Sequence, residues 1–307
     1  MYLYNLSKQD VELARDEVIA LTGKNYKIDK NYLITSKLTK RPAYTKTVSL
    51  ILFECSSGGL LHRIKKYNWN KVYKNNFKLI IHKVPKLPKD FNEKNLSSYI
   101  YRQLKNPEVR LRNPETIFEI FFTDRAYVTL RVHTNSEDFN SRKSHNRPEP
   151  HPTSLHPKIA RAMVNLTGIK RGRLFDPFCG AGGILIEAGL MGLKPVGYDL
   201  DRIMLRRAEI NLRHFGVNAV LQQKDATTVN NIKYICTDLP YARNSKAKDL
   251  EQLYTEFLTS LKFREAVIAF PDKINYKAII LKTGHNVRKE YSYYLHKSLT
   301  KKIVVLD

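Results

Sequence analysis

The chain reads as an α/β protein, with a mostly parallel sheet over residues 155–307 behind two small α+β sections. Three observations predict this. Strand and helix signals alternate regularly from Leu155 onward. Four acids, Asp176, Asp199, Asp225 and Asp238, each close an apolar strand-like run in that part. Residues 1–69 and 70–140 instead mix strands and helices without regular alternation, and a linker over 141–154 separates them from the rest.

In the first section, "MYLYNL" predicts a strand. "SKQDVELARDEVIALTG" predicts a helix, with Ser7 as its cap and Val11, Ala14, Val18 and Leu21 at helical spacing before Gly23. "TVSLILFEC" is a strongly apolar strand, and "GGLLHRIKKYNW" a short helix. In the second section, "NFKLIIHKV" is a strand. "EKNLSSYIYRQLKN" is a helix carrying Leu96, Ile100 and Leu104 on one side. "TIFEIFFTDRAYVTLRVHT" forms two strands around the turn Thr123-Asp124-Arg125. "NSEDFNSRKSHNRPEPHPTS" is polar and proline-rich, and supplies the linker.

The third section predicts a helix at "LHPKIARAMVNLTG", then the strands "GRLFDPF", "KPVGYDLD", "AVLQQKD" and "IKYICTD". The helices "GGILIEAGLMG" and "RIMLRRAEINLRHFG" fall between the first three. A helix from Asp249 to Leu261 precedes the strand "AVIAFPD". Parallel strands need such crossovers, and ligands then sit at the strands' C-terminal ends.

Composition narrows the function classes. The 307 residues carry 53 Lys and Arg against 29 Asp and Glu, a formal net charge of +24. Residues 1–150 hold 28 basic and 15 acidic residues, and residues 151–307 hold 25 and 14. A body that is basic throughout suits a polyanion touching several domains, most simply a nucleic acid. No apolar run reaches the ~18 residues of a membrane span. The N-terminus has no basic-then-apolar leader pattern. Cys55, Cys179 and Cys236 are few and widely spaced, which favours small core residues over a disulfide framework or a metal site. A cytoplasmic, reducing setting is expected.

The first strand of the third section runs into Asp176-Pro177-Phe178-Cys179-Gly180-Ala181-Gly182-Gly183. A glycine-rich turn lets a ligand approach the backbone, and a following helix offers free N–H donors. A dinucleotide fingerprint needs a third glycine where Leu185 stands. An acid directly before the turn also suits a cationic ligand end better than a pyrophosphate. S-adenosylmethionine has an ammonium and a sulfonium there. Asp199, 19 residues after Gly180, stands where a carboxylate accepts ribose hydroxyls, with Leu200 beside it. Asp225, followed by Ala226, stands where an acid accepts from an adenine amine. The plainer account of each acid is a helix cap; for Asp201 that account is preferred.

Asp238-Leu239-Pro240-Tyr241 ends the fourth strand. Methylating an exocyclic amine on a base is hard because the lone pair is delocalised into the ring. Two acceptors on its N–H groups direct that lone pair and stabilise the charge that develops. The Asp238 carboxylate is one, and the Leu239 carbonyl, in a loop stiffened by Pro240, is the other. Tyr241 offers a ring for stacking an extruded base. A strand end, a proline turn and a core tyrosine is the plainer account.

Together, "DPFCGAGGILIEA", "GYDLD", "KDAT" and "DLPY" resemble the class I S-adenosylmethionine-dependent methyltransferases that modify exocyclic amines. With "RKSHNRPEPHPTSLHPKIARAMVNLTG", "LEQLYTEFL" and "YLHKSLTKKIVVL", the whole chain resembles the archaeal tRNA guanosine-10 N2-methyltransferases. The resemblance implies a Rossmann-like methyltransferase domain at 155–307. It also implies a THUMP RNA-binding domain at 70–140 and an N-terminal ferredoxin-like domain at 1–69. Asp176, Phe178, Gly180, Ala181 and Gly182 would surround the methionine end of the cofactor, Asp199 and Leu200 its ribose, and Asp225 and Ala226 its adenine. Asp238 and Leu239 would hold the guanine amine, with Tyr241 stacking. Arg110, Arg112 and Arg125 are candidates for the unpaired 3′ end of tRNA, and no metal is implied. Two departures stand out. The family's loop is usually Asp-Pro-Pro-Tyr-Gly, and here Leu239 and Ala242 replace the first proline and the glycine, so the loop is expected to lose a constraint. Gly183 stands where a hydroxyl residue is common. Methylation of an amine in ribosomal RNA or DNA, and a non-catalytic RNA-binding protein, are the alternatives.

Overall fold

A computed structural model of the chain describes residues 1–82, 91–152, 154–241, 247–296 and 299–307. The chain forms two compact units. One comprises residues 1–15, 22–40 and 45–136; the other comprises 16–21, 41–44 and 137–307.

The first unit holds strands β1 (Tyr2–Leu6), β2 (Tyr26–Asp29), β3 (Tyr32–Thr35) and β4 (Thr45–Cys55), then β5 (Phe77–His82), β6 (Thr116–Phe122) and β7 (Ala126–Thr134). They make one sheet in the order β2-β3-β1-β4-β7-β6-β5. The sections 1–69 and 70–140, expected as separate domains, thus share a sheet through the β4–β7 pair. Helices α2 (Leu60–Lys66) and α3 (Glu93–Tyr101) cover a core of Phe53, Trp69, Phe77 and Phe118. Leu96, Ile100 and Leu104 all face it, as their spacing predicts. Glu119 is buried on β6. Burial would raise its pKa, but His82, Arg131 and Ser49 hydrogen-bond it and bring it down to about 2.

Helix α1 (Val11–Thr22) begins later than Ser7. Asp10, immediately before the first turn, is the cap: its Oδ1 accepts from Leu13 N at 2.9 Å, while Ser7 Oγ accepts only from Gln9 N. Val11, placed on the apolar face by its spacing, is exposed, and Leu13 is buried instead.

The second unit holds α4 (Pro157–Leu166), β8 (Arg173–Asp176), α5 (Gly183–Leu190), β9 (Lys194–Asp199), α6 (Arg202–His214) and β10 (Val220–Gln223). These are followed by β11 (Ile232–Asp238), α7 (Ala247–Ser260), β12 (Phe263–Pro271), α8 (Tyr276–Lys282), β13 (Val287–His296) and β14 (Leu299–Leu306). The sheet order is β10-β9-β8-β11-β12-β14-β13. Strands β8 to β12 run parallel, and the hairpin β13–β14 adds two antiparallel strands. The order reverses between β8 and β11, which opens a crevice at their C-terminal ends.

Of residues 141–154, expected as a linker, the described ones instead pack into this unit. Arg142 Nε donates to buried Glu187 Oε1 at 2.6 Å, and Arg161 Nε to Glu187 Oε2 at 2.8 Å. The ring of Phe139 lies 5.1 and 5.2 Å from the two guanidinium groups. The stretch is polar because its arginines pair with a buried acid, and polarity alone does not separate that from solvation. Cys55, Cys179 and Cys236 are buried free thiols, as expected of small core residues. Among the described residues, no helix is long and apolar enough to cross a membrane.

Candidate active site

A cavity of about 390 Å³ lies at the β8/β11 reversal, within the second unit. Asp176, Asp199, Asp225 and Asp238 all line it, as do Phe178, Gly180, Ala181, Leu200, Ala226, Leu239, Pro240 and Tyr241. Gly182 does not. Its φ of +84° makes the tight turn into α5, and a Cβ there would meet Ala208 Cβ at 3.3 Å. Gly183 begins α5 and lines the cavity. A Cβ there would come within 3.2 Å of the Arg147 guanidinium, so the missing hydroxyl residue leaves room for a buried arginine. No side chain caps the first N–H groups of α5. They remain donors beside the cavity.

Asp176 ends β8 and is 2% exposed. Burial pushes its pKa up to about 7, against hydrogen bonds from Thr237 Oγ1 (2.6 Å) and Phe178 N (3.3 Å). A carboxylate kept this short of partners suits a cationic ligand. Asp199 ends β9. Its Oδ2 accepts from Gly180 N and its Oδ1 from Asp201 N, both at 2.9 Å, so it fixes the glycine turn as well as facing the cavity. Asp201 caps α6 by accepting from Ile203 N at 2.7 Å, as expected. Asp225 is also a cap: its Oδ1 accepts from Thr227 N and Thr227 Oγ1, both at 2.8 Å.

Asp238 ends β11, and its side chain is 16% exposed. Burial raises its pKa, and the Lys301 ammonium in contact with it opposes that rise. Lys301, on β14, is 1% exposed and lies 4.6 Å from the Tyr241 ring centroid. Leu239 corrects the expectation of a looser loop. Its N–H, which proline would lack, donates to Ala269 O at 3.0 Å, and its side chain is buried beside Tyr254 and Phe257. The Tyr254 hydroxyl donates to the Pro240 carbonyl. Ala242, the second departure in this loop, lies outside the described residues.

Sequence reasoning missed Lys301, Thr237, His151 and Lys224. His151, Lys224 and Lys301 line the same cavity. Burial, and then Arg207, lower the His151 pKa. All four lie inside stretches quoted above, but nothing in their spacing or type singled them out there.

The candidate RNA residues belong to the first unit. Arg110 pairs with Glu108 at 2.9 Å, and its N–H bonds Phe77 O at the start of β5. Val109 and Leu111, on either side of it, line a groove of about 380 Å³ with Lys78, Lys94, Tyr101 and Arg102. Arg125 sits in the β6–β7 turn, 3.4 Å from Glu54. By the register of β5 on β6 that is the other end of the sheet, roughly 20 Å away. Arg110 and Arg112 thus flank Leu111 without lining the groove themselves, and Arg125 lies apart from both.

The family model described as an RMKL-like methyltransferase domain matches residues 144–303. A second model, described as DNA methylase, matches residues 14–209. The tRNA (guanine(10)-N2)-dimethyltransferase of Methanothermobacter thermautotrophicus is 34% identical, over 88% of this chain and 84% of that protein. Its counterpart in Pyrococcus abyssi is 32% identical, over 81% and 79%. The crystal structure of TrmN from Thermus thermophilus superposes with a TM-score of 0.54 at 17% identity, covering 100% of this chain and 99% of that one, a likeness of fold. With such identity along most of its length, the chain belongs to the tRNA (guanine(10)-N2)-dimethyltransferase family.

Proposed function

We propose that this protein methylates the exocyclic N2 amine of guanosine 10 in tRNA, giving N2-methyl- and then N2,N2-dimethylguanosine, with S-adenosylmethionine as the methyl donor. The observation that carries this reading is the convergence of four strand-end acids and the Asp238–Tyr241 loop on one cavity, in a chain 34% identical to a tRNA (guanine(10)-N2)-dimethyltransferase. Acting on tRNA, the protein would work in the cytoplasm.

The residues fit the donor. When bound, S-adenosylmethionine supplies an electrophilic methyl group on a sulfonium sulfur. Asp176 receives its cationic end, Asp199 its ribose hydroxyls, and Asp225 its adenine amine. Phe178, Gly180, Ala181, Leu200 and Ala226 shape the cavity around it. Asp238 and the Leu239 carbonyl accept the two N–H groups of the guanine amine, which turns its lone pair toward the methyl group and stabilises the charge gained by nitrogen. Pro240 and Tyr254 keep that carbonyl in register, Tyr241 stacks the base, and holding the partners in line contributes through proximity. Residues 70–140 act as a THUMP module, with the groove beside Arg110 and Arg112 taking an unpaired tRNA end and residues 1–69 supporting it.

Labelled cofactor and unmodified tRNA, followed by nucleoside mass spectrometry, test this directly. N2-methylated guanosine in tRNA is expected. A label on another RNA and none on tRNA would sink the reading. The DNA methylase match favours a second reading, methylation of an amine in DNA. That match stops short of Asp238, and labelled duplex DNA in the same assay decides it.

A further inference from the structure

Lys301 carries a charge to a place where an apolar residue would cost less. It is 1% exposed, and an ammonium loses its hydration on burial unless it is paired. Lys301 stands opposite Pro271 on one side of β12, and Asp238 opposite Ala269 on the other. Residues 269 and 271 share a face, so the lysine reaches past the short side chain of Ala269 to the end of β11. There its Nζ contacts Asp238 Oδ1 and stands over the Tyr241 ring. Both charged groups line the cavity.

We propose that Lys301 is a positioning residue for methyl transfer: it holds the Asp238 carboxylate ionised and aimed at the base amine, and it braces the Tyr241 ring beside which the base lies. This rests on the reading of Asp238 as the amine's acceptor. Only an ionised carboxylate does that work, because a protonated one presents an O–H donor to an N–H donor. Among the described residues, the other groups around Asp238 push it toward protonation or do nothing for it. Asp176 on β8 is a second acid, Cys236 on β11 a buried thiol, Tyr254 on α7 a buried phenol, and β12 offers Ala269. Lys301 is the cation among them. An ammonium also serves where a hydrogen-bond donor alone would not, since its full charge is what opposes the burial of Asp238.

The test compares Lys301→Met, Lys301→Gln and Lys301→Arg by two measurements. The first is carbon NMR of labelled aspartate carboxyl groups in the cofactor-free protein, with the Asp238 signal identified by its loss in Asp238→Asn. The Asp238 titration midpoint should rise by at least one pH unit in Lys301→Met and Lys301→Gln, and return in Lys301→Arg. The second is the pH profile of methyl transfer to tRNA. Its acidic limb should move upward by the same amount in the two uncharged variants and return with arginine. An unchanged Asp238 titration in a folded uncharged variant overturns the proposal. So does a lowered rate with an unmoved acidic limb, which would make Lys301 merely structural. The NMR measurement needs no turnover. A moved titration in a protein that labels no tRNA would therefore fault the proposed function and leave the Lys301–Asp238 relation standing.

Discussion

Thr237 Oγ1 donates to Asp176 Oδ1 at 2.6 Å, tying the end of β11 to the end of β8 at the crevice. That is the principal side-chain help Asp176 receives in a site whose burial holds its pKa at about 7. A cationic ligand there must ionise it, so binding releases a proton. Affinity for S-adenosylmethionine should rise with pH, approaching tenfold per unit below pH 7, and level off above it. Calorimetry from pH 5.5 to 8.5, in buffers of differing ionisation enthalpy, reads both the slope and the proton. A flat profile would misplace the cationic end.

The same acid sets a stability trade. Its folded pKa lies above the unfolded value, so the folded state holds the extra proton between about pH 4 and 7. The stability this contributes is full below pH 4 and is lost as pH rises through 7. Asp176→Asn should therefore melt like the parent near pH 4 but be more stable at pH 8, by on the order of 3 kcal/mol, while losing cofactor affinity. Thermal melts at the two pH values check it.

Asp238→Ala removes an acceptor and strands a buried ammonium at once. Transfer should fall by at least ~100-fold with tRNA affinity within about twofold, and stability should drop by about 3 kcal/mol. The double variant Asp238→Ala/Lys301→Met should regain most of that stability and none of the transfer. Recovery of transfer in the double variant would remove Asp238 from the chemistry.

Glu187 anchors the arm that carries His151 to the cavity, through Arg142 and Arg161. Glu187→Gln leaves two buried guanidinium groups short of charge. It should cost about 3 kcal/mol in urea denaturation, with cofactor affinity falling in parallel. Unchanged stability would mean that Glu137, which pairs with the same two arginines, and the packing of Phe139 hold the arm without Glu187.

The parallel core was readable because β8, β9 and β11 are each an apolar run closed by an acid, with α5, α6 and α7 following them, and that pattern is local. The same logic placed the four acids correctly at one crevice, since topology brings parallel strand ends together. The hairpin β13–β14 was not readable. "RKEYSYYLH" and "TKK" interrupt their apolar residues with lysines, and one of those, Lys301, is buried only because Asp238 lies two strands away. The arm at 141–154 failed for a similar reason: its arginines look solvated until Glu187 is seen beneath them. Leu239 shows the limit of motif comparison. Set beside proline it reads as a loss, yet its N–H extends the β11–β12 ladder to Ala269.

The groove in the first unit separates two kinds of arginine. Lys94→Ala with Arg112→Ala removes cations on and beside the surface that includes Tyr101 and Leu111, whereas Arg125 lies at the far end of the sheet. The double variant should weaken tRNA binding and reduce the slope of log affinity against log salt by about 1.4, the value for two contacts to single-stranded phosphate. Tyr101→Ala should weaken binding by about 1–3 kcal/mol with the slope unchanged, because stacking carries no counterion release. Arg125→Ala should change both quantities less than the double variant does. Cofactor affinity should stay constant in all three. Filter binding of tRNA with and without its unpaired 3′ end, from 50 to 300 mM salt, reads these outcomes. Equal loss on both tRNAs would place the single-stranded end elsewhere.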